Sequence, residues 1–220
     1  MSVWNRLLVR YPRFADTLVC GPHAEVITLE QLANPGLLRE AIVKGQEIFG
    51  IEQQKHAGQL WFHSLCTAVV GPAVTAMVEF DVTPSLDLRR GQLHSIDGYW
   101  FGFRPQELLV DATLQASGTQ FGESIRPVID ALCLATDLRP APLWAVASDA
   151  LGIAASGAGV EAFEEERARE VAEGLIEGMA NVYAVPSPRF NEDDYFHRAG
   201  CCMIFHSPRA DFCTSCPQKR

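Results

Sequence analysis

Apolar residues recur every three to four positions through most of the chain, and the exceptions mark where the elements change. Asn34-Pro35, followed by Leu37, Leu38, Ala41, Ile42 and Ile48, combines a helix start signal with one apolar stripe. A second helical stretch is expected over 51–70, with Ala57, Leu60, Trp61, Ser64, Leu65 and Ala68 sharing a face. Gly71-Pro72 should interrupt it, because proline lacks an amide donor and clashes with the preceding turn. A third helix then runs over 73–80. From 85 to 103 the period shortens: Leu86, Leu88, Leu93 and Ile96 alternate with polar residues, and Tyr99-Trp100-Phe101-Gly102-Phe103 follows. With turns at Arg90-Gly91 and Asp97-Gly98, this predicts two or three antiparallel strands, and a further strand is expected near 108–114. Helical spacing returns over 121–135, 140–155 and 160–180. The acidic side of the last helix (Glu164, Glu165, Glu166, Glu170, Glu173) reads as a solvated face. Val185-Pro186-Ser187-Pro188 reads as an ordered linker. The pattern predicts an α+β fold, helices packed on a small antiparallel sheet. Residues 1–185 form the scaffold and 186–220 a short terminal segment.

Composition narrows the function. The 220 residues are 48% hydrophobic and 20% charged, ample for a core, and the net charge is −9. Nucleic-acid binding by phosphate neutralisation needs a basic face and is not expected. The charge is uneven: from Arg189 onward five basic residues outnumber four acids, so the terminal segment carries +1 and residues 1–188 carry −10. The first residues show no apolar run leading to a small-residue cleavage site, and no stretch reaches eighteen uninterrupted apolar residues. A cytoplasmic protein without a transmembrane segment is expected; attachment at the inner face of the membrane stays open.

Cysteine placement carries the chemistry. Four of seven cysteines lie within sixteen positions: Cys201-Cys202, a ten-residue gap, then Cys213-Thr214-Ser215-Cys216. In a reducing compartment this density argues for metal ligation rather than disulfides. Cys213-x-x-Cys216 suits zinc and iron–sulfur sites equally. Adjacent side chains of an extended segment point to opposite faces, so ligation by both Cys201 and Cys202 requires a kink, for which Gly200 offers backbone freedom. An adjacent pair is unusual for zinc, and a [2Fe–2S] cluster is wide enough for it; spacing alone leaves both open.

The run from Arg198 to His206, with Cys213-Thr-Ser-Cys216-Pro217, resembles the C-terminal signature of FhuF-type ferric-siderophore reductases. Trp61 ahead of Gly71-Pro72, and Leu143-Trp144, resemble further positions of that family. The resemblance implies a [2Fe–2S] cluster on Cys201, Cys202, Cys213 and Cys216, and reduction of siderophore-bound Fe(III) to Fe(II) by one electron. It also implies a siderophore-binding scaffold over 1–185 and a donor such as a ferredoxin or flavoprotein reductase. No catalytic group beyond the cluster is expected. Arg198, Arg209 and His206, with His197, lie close enough in sequence to tune the cluster or meet a redox partner. Two other classes compete: a zinc-stapled protein that binds a small molecule or partner, and an iron–sulfur electron carrier or redox sensor.

Arg89, Arg90, His94, Tyr99 and Trp100 form a cationic and aromatic group around the expected hairpin and are candidates for siderophore binding. His63, near Trp61, reads first as a packed or capped histidine, and otherwise as a pocket residue. Cys20, Cys66 and Cys133 stand alone in apolar surroundings and read as structural. Gly157-Ala-Gly159 lacks the context of a nucleotide-binding loop.

Overall fold

The computed structural model describes residues 1–187, 190–191, 195–213 and 215–219. Pro188 of the expected linker and Thr214 of the Cys-x-x-Cys turn lie outside them. In chain order the elements are α1 (Val3–Arg10), α2 (Ala15–Leu18), β1 (Ala24–Val26), α3 (Leu29–Leu32), α4 (Pro35–Phe49), α5 (Gln54–Phe80), β2 (Gly91–Ile96), β3 (Trp100–Pro105), α6 (Leu114–Thr136), α7 (Pro140–Ala162) and α8 (Glu165–Ala180). Single 3-10 turns occupy Pro12–Phe14, Leu88–Arg90 and Ile204–His206. The fold is mostly helical with a small antiparallel sheet, which is α+β as expected.

Local signals explain most boundaries. Asn34 Oδ1 accepts from the amides of Gly36 and Leu37, Pro35 occupies the first turn of α4, and Gly50 ends that helix at φ 68°. Thr28 and Gln31 form a capping box on α3. Asp97 and Gly98 both take positive φ between β2 and β3, and Ile96 pairs with Trp100 across the turn.

The pattern misjudged three places. The helix does not break at Gly71-Pro72; α5 runs unbroken to Phe80. A proline costs a helix interior about 3 kcal/mol, but α5 is buried on nearly every side, and Thr75 Oγ1 donates to the Gly71 carbonyl at 2.8 Å. No strand forms at 108–114: Leu108 makes an isolated bridge to Pro84 and α6 begins at Leu114. The sheet takes its third strand from β1, which pairs with β2 in the order β1-β2-β3. The helix expected over 160–180 is split, because Phe163 adopts a left-handed conformation and α8 starts afresh.

The core lies where α7 packs along α5, α8 packs on α6 and α7, and β3 lies against α5 with Trp61 edge-on to Phe101. Both α5 and α7 are long and apolar enough to cross a bilayer, yet 72% and 67% of their apolar stretches are buried within the fold. Apolar faces on all sides, covered by the protein's own elements, characterise core helices. Against the outer side of α4, α5 and α7 sits the cysteine-bearing segment. It contributes Cys202 to the core, and Phe196 packs where Gly152 of α7 leaves no room for a Cβ.

Candidate metal centre

The segment is anchored by polar groups that α5 and α7 hold inside the fold. Asp149 of α7 is 2% exposed, and its carboxylate accepts from the amides of Ala199 at 2.9 Å and Gly200 at 2.6 Å. From α5, Gln59 Nε2 donates to the Cys201 carbonyl at 2.7 Å. Beyond the first cysteine pair, Ser207 Oγ donates to the Phe49 carbonyl at the end of α4, and His206 stacks on His56 with ring centroids 3.7 Å apart. The kink required after the adjacent pair is present, but at Met203, whose φ is 68°. Gly200 serves otherwise: a Cβ there would lie 3.1 Å from Asp149 Oδ2 and 3.2 Å from Val146, so its role is close approach to α7.

These anchors bring the four thiols together from the two ends of the segment. Cys201, Cys202 and Cys216 are buried and Cys213 is half-buried. Cys202 Sγ lies 3.7 Å from Cys213 Sγ. The Met203 amide donates to Cys201 Sγ at 3.4 Å, and Arg198 Nη1 donates to Cys213 Sγ at 3.2 Å. Burial pushes the Cys213 thiol up to about 11, with the neighbouring Cys202 adding to it and Arg198 opposing. Burial likewise raises Cys201, opposed by the Met203 amide and reinforced by Cys202 and Cys216. Crowded, desolvated thiols of this kind become thiolates when a cation neutralises them.

Arg198 shows the same demand from the opposite charge. Its side chain is 2% exposed, and Nε stands 3.9 Å from Asp149 Oδ2, too far for a hydrogen bond. Among the described residues Nε and Nη2 have no hydrogen-bond partner. Nη1, directed at Cys213 Sγ, fits an anionic, sulfur-rich group, because N–H groups aimed at sulfur stabilise clusters. Among the described residues, no group of three or more His, Cys, Asp or Glu converges as a site for a single ion. Cys202 and Cys213, with sulfurs 3.7 Å apart, are spaced as two thiolates on one metal ion, zinc or iron, would be.

The other expected residues are dispersed. Arg209 Nη1 donates to the carbonyls of Glu47 at 3.0 Å and Ile48 at 2.7 Å, placing its charge at the C-terminal end of α4. His206 is engaged with His56, and His197 is exposed. The hairpin group does not form one surface. Arg89 pairs with Asp87, and Arg90 with Asp87 and Glu107, at the base of β2. Trp100 is about 20 Å away at the hairpin tip, given the rise of a six-residue strand. His94 and Tyr99 between them are fully buried, His94 Nε2 facing the Asp16 carbonyl at 3.0 Å. Cys66 is buried with its thiol pushed up by desolvation, as a structural cysteine should be.

Asp149 and Gln59 escaped notice in the sequence, although a signal was there: Asp149 is the one charged residue between Pro140 and Val160. An isolated carboxylate on an apolar helix is either misplaced or committed to a buried partner.

Four buried or half-buried thiols beside a buried arginine are a metal-binding donor set. Residues 198–218 match the family model described as the FhuF 2Fe-2S C-terminal domain, and all four cysteines fall inside that match, which identifies the occupant of the set as a [2Fe–2S] cluster. The matched span is the cysteine segment and its anchoring residues; the helical scaffold lies outside it. A comparison with curated proteins returns no match.

Proposed function

We propose that this protein is a ferric-siderophore reductase of the cytoplasm. The observation that carries the reading is the convergence of Cys201, Cys202, Cys213 and Cys216 beside Arg198, within the span that matches the FhuF 2Fe-2S C-terminal domain. Those four cysteines would hold the cluster, which supplies single-electron chemistry when bound. The chain's own residues supply the rest. Asp149 and Gln59 fix the backbone on either side of Cys201, so the thiols are held in place. Arg198 places positive charge against Cys213, favouring electron uptake at the site. Burial keeps water from most of the thiol set.

The substrate is ferric iron in an oxygen-donor chelate. Hard oxygen donors such as hydroxamates and catecholates bind ferric iron tightly and ferrous iron weakly, so one electron makes the trapped ion labile. No acid, base or nucleophile is required. The electron comes from an external donor such as a reduced ferredoxin or flavoprotein.

Freshly purified protein is expected to be reddish-brown, with a visible spectrum that bleaches on reduction and a paramagnetic signal in the reduced state. Mixed anaerobically with ferric siderophores under a ferrous-iron trap, the reduced protein should form the ferrous complex faster than a Cys213→Ser control. Colourless protein containing zinc would overturn the reading. A brown protein giving no acceleration would be an electron carrier or sensor instead.

A further inference from the structure

Two hollows adjoin along α5, and one of them reaches the thiol set. One, of about 410 Å3, lies between α5 and α7 and reaches Arg198, Cys213 and Ser215. The other, of about 670 Å3, runs on toward the hairpin tip, where Trp100 and Phe101 line it. They share Arg13, Phe14, His63 and Thr67, so together they form one groove along α5 with Cys213 at one end and Trp100 at the other. Each part has a volume typical of small-molecule sites.

Gly157 on the α7 wall has a distinctive environment. Glycine in a helix interior is less stable than alanine, and the neighbouring glycines of α7 have packing reasons. Gly152 meets Phe196, and Gly159 meets Ala168 at 2.6 Å from a would-be Cβ. At Gly157 a Cβ would meet nothing within 4 Å. Opposite, Gly71 of α5 would meet only the edge of Phe14 at 3.6 Å. Among the described residues no contact accounts for the missing side chain at Gly157; what it provides is clearance in the groove.

Arg198 supplies an independent observation. It borders the groove, is almost wholly buried, and carries two N–H groups, Nε and Nη2, without partners among the described residues. A buried donor left unsatisfied is costly, so these groups call for an acceptor. A ferric ion wrapped in oxygen donors presents acceptors around its rim, and its organic arms suit aromatic walls such as Phe14 and Trp100. Midway, His63 is held neutral by burial and by Arg198, its pKa lowered to about 4, so it adds no further cation to the groove. Arg13 stacks on Phe14 and pairs with Glu161, closing the edge near α7.

We propose that this groove seats the ferric chelate, with Arg198 donating to its oxygen rim, Gly71 and Gly157 giving clearance, and Trp100 contacting its outer arms. The inference rests on the reading of the protein as a ferric-siderophore reductase. In that seat the ferric ion gains one electron, originating in the reduced ferredoxin or flavoprotein, and leaves as ferrous iron; the vacated hydroxamate or catecholate oxygens take up protons from solvent.

Filling the clearance tests it. The gallium(III) complexes of a linear tris-hydroxamate and a tris-catecholate serve as redox-inert probes, titrated calorimetrically into the cluster-loaded protein. With the better-bound probe, Gly157→Leu should weaken binding by about tenfold or more and slow reduction of the matching iron(III) complex similarly. Its visible spectrum and the rate at which ferricyanide oxidises the reduced protein should stay at wild-type values, and its melting temperature should not fall. Gly21→Leu, at an exposed glycine outside the groove with nothing within 4 Å of its would-be Cβ, should behave as wild type throughout. If Gly157→Leu fails to fold or load, Thr67→Leu on the opposite wall is read the same way. A filled groove that binds and reduces the chelates normally overturns this seat while leaving the reductase reading intact. A wild-type protein that reduces neither iron complex overturns the reading itself.

Discussion

Arg198 and Arg209 both lie within four residues of a cysteine ligand candidate, yet their surroundings assign them different work. Arg198 donates to Cys213 Sγ from a buried position beside Asp149, whereas Arg209 reaches the last carbonyls of α4. Positive charge close to an anionic cluster favours the reduced form, and charge at a helix C-terminus favours the helix. Arg198→Gln is therefore expected to lower the reduction potential by on the order of 60 mV, a decade in a one-electron equilibrium. Arg198→Lys should recover part of that shift. Arg209→Gln should leave the potential unchanged and reduce stability by roughly 0.3–1 kcal/mol. Redox titration of the three variants beside their urea unfolding curves separates the two roles. Equal potential shifts at both positions would show that the protein's overall charge is being sensed, not a contact.

Among the elements, α6 and α8 approach each other through glycine. A Cβ on Gly118 of α6 would stand 2.0 Å from the Leu175 carbonyl, and one on Gly178 of α8 2.0 Å from the Gln115 carbonyl. Backbone cannot yield as a side-chain tip can, so Gly178→Ala should force the two helices apart and destabilise by about 1–3 kcal/mol. Gly157→Ala, facing open space, should instead stabilise by up to about 1 kcal/mol through helix propensity. Urea midpoints measured for the two variants are expected to move in opposite directions. This contrast was hidden in the sequence, where Gly157, Gly159, Gly174 and Gly178 look alike on two adjoining helices. The same holds for Pro72, whose helix-breaking chemistry is outweighed by burial around α5. Conversely, α4 was legible nearly to the residue because its start signals are local and strong, whereas β1 is too short to show a period and exists by pairing with β2.

For the molecule as a whole, the cysteine segment is a lightly structured strip fastened to a helical core. Its described residues hold one 3-10 turn, and its fastenings are the Asp149, Gln59, Ser207 and His56 contacts. Metal binding and folding are coupled where ligands repel or stay protonated without the metal, and burial and thiol crowding raise Cys201 and Cys213 in this way. Removal of iron by a chelator is expected to speed amide hydrogen exchange across 199–213 by about tenfold or more, while α5 and α7 keep their protection. Equal loss of protection in α5 and α7 would instead make the cluster part of the core's cooperative unit.

Taken by itself, the sequence determined the helices with strong caps and periodicity, the hairpin at Asp97-Gly98, and the thiol set, since these depend on spacing along the chain. Tertiary structure decided which charges serve those thiols. Asp149 and Arg198 are 49 positions apart and meet only because α7 carries one to the segment that holds the other. It also decided that Arg89, Arg90, His94, Tyr99 and Trp100 are scattered between solvent and core, and that Gly157 opens onto a groove ending at Cys213. The division has a physical basis: backbone hydrogen bonding and side-chain period act over a few residues, while burial, charge pairing and open space depend on what the rest of the fold brings alongside.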